Sequence, residues 1–120
     1  MATILLATGD SALQTILAAE LGGEGHEVTC VTNGQEAYDT ALAVVPDLVF
    51  LDLSLPIFSG METCAMMRED PELPHRMPIV LITDEEVNVR QLEKHRVTEL
   101  FPKTHAAHVL RDLVVKLLTG

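Results

Sequence analysis

At 120 residues the chain is long enough for one domain with a single buried core, and with 48% hydrophobic residues it is too apolar for a disordered tail. A formal net charge of −10 opposes binding to phosphate backbones and anionic lipid surfaces, and 3% aromatics without Trp leave no stacking platform for single-stranded nucleic acid. No apolar run reaches membrane-spanning length and no secretory signal is visible, so a cytoplasmic protein is expected, with Cys30 and Cys64 as buried, reduced thiols.

Strand-length apolar runs alternate with helical patterns. Thr3–Thr8 (TILLAT) predicts a buried strand. Ser11–Leu21 follows, with Leu13, Ile16, Leu17 and Leu21 at helical spacing, and Gly22, Gly23 and Gly25 are expected to end it. Glu27–Thr32 predicts a second strand, and Asn33 a cap for a helix reaching Val45, before Pro46. Asp47–Leu53 (DLVFLDL) is almost continuously apolar, as a strand covered on both faces must be. The loop SLPIFSG leads to Ser59, a cap for a helix to about Glu69. A Pro-rich connection, Asp70–Pro78, precedes a fourth strand at Ile79–Thr83. Asp84–His95 reads as a polar, poorly patterned helix, Val97–Pro102 as a short fifth strand, and His105–Leu118 as a last amphipathic helix. Among these, Met61, Met66 and Met67 read as core and filler, and His105 and His108 as one solvated helical face.

Strands joined by helices of this length cannot form hairpins. They run parallel with right-handed crossovers, giving a doubly wound five-stranded α/β sheet in one domain, 1–120. Ligands of such sheets bind at the carboxyl ends of the strands. Those ends hold Thr8-Gly9-Asp10, Asp52, Thr83-Asp84 and Lys103. A carboxylate at a buried strand end needs a partner, and Lys103 can supply it. An Asp52–Lys103 ion pair that only fixes packing accounts for these residues as well as a functional site does.

The segments ILLATGD, PDLVFLDLSLPIFSGMETC, MPIVLIT and LFPKT together resemble the response-regulator receiver domain, the CheY-like fold, over essentially the whole chain. The resemblance implies a (βα)5 flavodoxin-like sheet with strand order 2-1-3-4-5. It implies a two-component switch rather than an enzyme in the usual sense. Asp52 matches the acceptor that takes a phosphoryl group from a histidine kinase or phosphotransfer protein. Mg²⁺ would bridge Asp52, a carboxylate at the end of the first strand and the backbone carbonyl of Ser54. Thr83 matches the residue that contacts the phosphoryl group on activation, and Lys103 the one that pairs with its oxygens. A downstream protein or fused output domain would read the switch, with no direct nucleic-acid or membrane contact, from a monomer or weak homodimer.

The pattern departs from the family at several positions. Thr8 and Gly9 stand where two consecutive acids are usual, in a register set by Leu13, Ile16 and Leu17 as buried positions. Asp10 falls one place late; it can cap the first helix or swing in as a metal ligand, with capping favoured. Mg²⁺, which uses one or two carboxylates plus substrate phosphate, is therefore expected to bind weakly or not at all. Asp84 replaces a small residue beside Thr83. Facing inward it would sit near the phosphoryl oxygens, where like charges about 4 Å apart cost up to about 4 kcal/mol, or donate the missing metal ligand from the other side of the crevice; facing outward, the favoured reading, it would cap the next helix. Leu100 replaces the usual aromatic, and Phe101 should point to the opposite face. These departures keep open a second reading, a pseudo-receiver that binds partners constitutively. A third, an unrelated flavodoxin-like binding domain, fits the Asp, Thr and Lys matches poorly.

Overall fold

The computed structural model describes residues 1–105 and 107–119. Five strands, β1 (Thr3–Ala7), β2 (Glu27–Val31), β3 (Leu48–Asp52), β4 (Ile79–Thr83) and β5 (Glu99–Pro102), form one parallel sheet in the order 2-1-3-4-5. The helices are α1 (Ser11–Gly23), α2 (Gly34–Val44), α3 (Gly60–Glu69), α4 (Val89–Lys94) and α5 (Ala107–Thr119). This is the α/β flavodoxin-like receiver fold that the resemblance implied.

The two faces of the sheet bury separate cores because side chains alternate along each strand. Ile4, Leu6, Leu48, Phe50, Val80 and Ile82 pack with Leu17 and Leu21 of α1 and Leu110 and Val114 of α5. Leu5, Ala7, Val49, Leu51, Ile79 and Leu81 pack with Ala37 and Ala41 of α2 and Cys64 and Met67 of α3. Strands β3 and β4 are buried at every position, so their sequences are unbroken apolar runs. Leu100 joins the second core and Phe101 the first, on opposite faces as expected.

Several boundaries differ from the sequence reading. Helix α1 continues through Gly22 and Gly23; the chain leaves the helix at Glu24, and Gly25 takes a left-handed conformation at φ 85°. Ile16 is 56% exposed rather than buried, leaving Leu17 and Leu21 as the buried residues of α1. The predicted helix from Asp84 shrinks to Val89–Lys94, capped by Asn88, whose side chain accepts from the Arg90 amide. Its stretch fails to extend because no residue of α4 is buried, and most helical stability comes from burying a face. Strand β5 starts at Glu99 rather than Val97, since Arg96 turns the chain at φ 55°. His105 precedes α5 and sets its ring edge-on to Phe101, with centroids 5.8 Å apart, so it does not share a helical face with His108; Ala106, within the predicted helix, lies outside the described residues. Cys64 is buried and Cys30 only partly so; both are free thiols.

Candidate functional site at the carboxyl rim of the sheet

Asp52 ends β3 and is 3% exposed. The pairing of Ala7 with Leu51 carries Thr8, the next residue, alongside Asp52. Pairing of Thr83 with Pro102 brings Lys103 to the same rim, where its amide donates to the Thr83 carbonyl at 2.8 Å. Helix α3 closes the site from behind. A Cβ on Gly60 would lie 2.5 Å from the Asp52 carbonyl oxygen, so only glycine lets the helix start there.

Both carboxylate oxygens of Asp52 are engaged. Oδ2 accepts from Thr8 Oγ1 at 2.7 Å and lies 3.2 Å from Lys103 Nζ. Oδ1 accepts from the Ser54 amide and the Ser54 hydroxyl, each at 3.0 Å. The Thr8 oxygen in turn accepts from the Asp10 amide at 3.1 Å. Its proton is thereby aimed at Asp52 and its lone pair at the start of α1. Burial alone would push the Asp52 carboxyl up. Thr8, the Ser54 amide, Lys103 and the Ser54 hydroxyl outweigh it and hold the carboxyl below its ordinary value. Asp52 is therefore an anion at neutral pH.

The other candidates lie further out. Asp10 is the N-cap of α1; its Oδ1 accepts from the amides of Ala12 and Leu13 at 3.1 Å each, and the residue is exposed. This is the capping role favoured over metal ligation for Asp10, with its carboxylate engaged by otherwise unpaired amides of the helix start. Gly9 is exposed at the corner. Thr83 is buried, but its hydroxyl donates to the Glu85 carbonyl at 2.8 Å and accepts from the Glu85 amide at 3.1 Å. It is tied into its own turn and makes no bond to Asp52. Asp84 is exposed and caps nothing, since Asn88 holds that place. A shallow cavity of about 480 Å³ opens beside the rim, lined by Thr83, Asp84, Glu85, Leu100 and Pro102; Asp52 is not among its walls.

The donor set does not fit Mg²⁺. The ion demands oxygen ligands in near-octahedral array. Asp52 is the carboxylate at the rim, and the side chains facing it present protons: Thr8 and Ser54 hydroxyls and the Lys103 ammonium. Among the described residues no three His, Cys, Asp or Glu side chains are grouped so as to hold a metal. Ser54 addresses Asp52 through its amide and hydroxyl, which leaves its backbone carbonyl uncommitted by these two bonds.

Two features escaped the sequence reading. Thr8 is more than a missing acid, since strand register sets it beside Asp52 within hydrogen-bond reach. Arg68, at the far end of α3, is 8% exposed. Its guanidinium donates to the carbonyls of Arg96 (3.0 Å), His75 (3.2 Å) and Met77 (2.6 Å) and to the Thr98 hydroxyl (3.2 Å). A signal existed: Arg68 stands four residues after Cys64, on the face that α3 buries.

The sequence matches the response regulator receiver domain over residues 4–115. The chain belongs to that family, and its fold is the CheY-like fold of two-component signalling. It is 38% identical to the phosphate regulon transcriptional regulatory protein PhoB of Rhizobium meliloti over 80 residues, 67% of this chain and 35% of the relative. The chain thus spans about a third of the length of such curated relatives. The BeF3-activated N-terminal receiver domain of Klebsiella pneumoniae RstA superposes with a TM-score of 0.86 at 28% identity, covering 98% of this chain and 99% of the other. The receiver domain of the sensor histidine kinase PA1611 from Pseudomonas aeruginosa, solved with a magnesium ion coordinated in its active-site cleft, gives 0.89 at 21% identity, covering 99% and 98%. No helix among the described residues is long and apolar enough to cross a membrane.

Proposed function

We propose that this domain is a stoichiometric phosphoryl acceptor in a two-component pathway, with Asp52 as the acceptor and a histidine kinase or phosphotransfer protein as the donor. The observation that carries the reading is a buried, ionised carboxylate at the rim with an ammonium 3.2 Å away. A carboxylate oxygen attacks phosphorus, the bond from phosphorus to the donor imidazole breaks, and the imidazole leaves with the electron pair. Such transfers depend on positioning and on neutralising the phosphoryl oxygens. Lys103 supplies the neutralising charge, and the Ser54 amide and hydroxyl and the Thr8 hydroxyl supply hydrogen bonds. Thr83 must leave its turn to join them. The BeF3-activated form of the Klebsiella receiver supports the reading. The output is a cytoplasmic protein contact or a fused domain, in keeping with relatives that are transcriptional regulators about three times as long.

One observation favours a second reading, a constitutive protein-binding module. Thr8 stands where the family resemblance places an acid, and it satisfies Asp52 internally. A small acyl phosphate, followed by intact-protein mass spectrometry, separates the two. An adduct of one phosphoryl group, absent from Asp52→Asn, is expected. Wild-type protein without an adduct at saturating donor would overturn the acceptor role and leave the binding module.

A further inference from the structure

The disagreement between the rim and a divalent metal has a structural origin in one side chain. We infer that Thr8 makes this pocket metal-free: its hydroxyl takes over the task of joining Asp52 to the end of β1. The inference rests on Asp52 as the functional carboxylate but not on its phosphorylation.

Charge and hydrogen bonding both carry it. Asp52 and Lys103 already balance, at 3.2 Å. The nearby carboxylates make no contact with Asp52: Asp10 holds two amides of α1, and Asp84 is exposed. A cation entering at Oδ2 would meet the Thr8 proton at a 2.7 Å hydrogen bond and the Lys103 ammonium. Turning the Thr8 hydroxyl away is opposed on its other side by the Asp10 amide, which holds the oxygen at 3.1 Å. At Oδ1 the two Ser54 donors occupy the approach. The arrangement is closed on the anion: four donors, no second acid. Mg²⁺ gives up its hydration reluctantly, and here it would gain a single carboxylate while displacing bonds already made.

The corner also has room for the acid it lacks. A Cβ on Gly9 would meet Pro56 Cδ at 3.6 Å, the Thr32 carbonyl at 3.7 Å and Pro56 Cγ at 3.8 Å, ordinary contact distances. Thr8→Asp, and Gly9→Asp combined with Thr8→Ala, therefore probe the determinant directly.

The test is a magnesium titration of the unphosphorylated chain, read by the amide resonances of Gly9, Asp52 and Ser54 and by the melting temperature with and without chelator. Wild type and Thr8→Ser, which keeps the hydroxyl, are expected to show no saturable shift through the millimolar range and no magnesium-dependent melting. Thr8→Asp is expected to melt below wild type in chelator, to recover with magnesium and to give saturable shifts. If Thr8→Asp fails to fold, the pair Thr8→Ala with Gly9→Asp, which removes the hydroxyl and supplies an acid beside it, carries the same expectation of saturable shifts. Saturable binding at Asp52 in wild type overturns the inference. So does a folded carboxylate variant that binds no magnesium, since the corner would then not be the determinant. Because no phosphoryl donor is present, either result stands whether or not Asp52 proves to be an acceptor.

Discussion

Asp52 and Arg68 are the charged residues buried among the described residues, and they sit at opposite ends of α3. Their compensation differs in kind. Asp52 faces a counter-charge, Lys103, and three hydrogen-bond donors, all but one of them side-chain groups. Arg68 makes no ion pair among the described residues; its partners are three backbone carbonyls and one hydroxyl. The Lys103 side chain is one-fifth exposed and can withdraw. The carbonyls around Arg68 cannot, because they are the chain itself where it enters β4 and β5. In return, Arg96 donates from its own guanidinium to the Arg68 carbonyl at 2.9 Å. The anion's counter-charge is a partly exposed side chain that can exchange partners, and the cation is built into the frame. Burial of a charge alone therefore does not distinguish the two ends; the kind of partner does.

That contrast can be broken most forcefully at Arg68. Arg68→Ala removes four hydrogen bonds and leaves the buried Met77 carbonyl unpaired, a buried acceptor costing about 1–3 kcal/mol, so a loss of about 2–3 kcal/mol is expected in urea unfolding. A loss below about 1 kcal/mol would mean that the cation is not part of the frame. Arg68→Lys should recover only part of it, since an ammonium cannot span the same fork of acceptors.

At the other end of α3, Gly60→Ala sets a methyl 2.5 Å from the Asp52 carbonyl oxygen. Backbone must shift, and a loss of about 1–3 kcal/mol by the same measurement is expected. An unchanged midpoint would show that the rim tolerates displacement of Asp52.

Asp52→Asn is expected to cost about 1–2 kcal/mol at neutral pH, since its charge-assisted bonds weaken. The pH dependence gives the sign. A carboxyl held below its ordinary value in the fold stabilises above the unfolded value, about 3.9, and that stabilisation fades as pH falls through the lower folded value. The gap between wild type and Asp52→Asn should thus close in acid below about pH 4. The gap for Arg68→Ala should persist there, since a guanidinium stays charged. Parallel behaviour of the two would erase the distinction between them.

The smallest effect is kinetic. Burial pushes the Cys64 thiol up to about 11, and its Sγ donates to the His95 carbonyl at 3.4 Å. Cys30, partly exposed, is also raised by burial. A thiol reagent at neutral pH should modify Cys30 first and reach Cys64 only as the fold opens. Arg68→Ala, which loosens the same helix, should speed the second step.

The strands were legible because β3 and β4 are covered on both faces, which forces nearly unbroken apolar sequence. The caps at Asn33 and Ser59 were legible because their oxygens pair with amides three residues on, a purely local contact. The end of α1, the start of β5 and the extent of α4 were not. Gly25 and Arg96 set the first two through positive φ, which residue type barely signals at an arginine. At the rim, Asp52 and Lys103 could be placed from strand ends alone. The bond from Thr8 to Asp52 could not, because it depends on the register between β1 and β3. Thr83 was expected to face the acceptor, yet its own turn takes the hydroxyl first, a local competitor that wins by proximity.

Helix α4 is one and a half turns anchored to the core chiefly through partly buried Leu92. Neighbours on either side of that leucine are exposed and bear little of the domain's architecture. Mutational drift can rewrite this stretch at small thermodynamic penalty, so descendants of the same scaffold can acquire new listeners there while their frames stay recognisably alike.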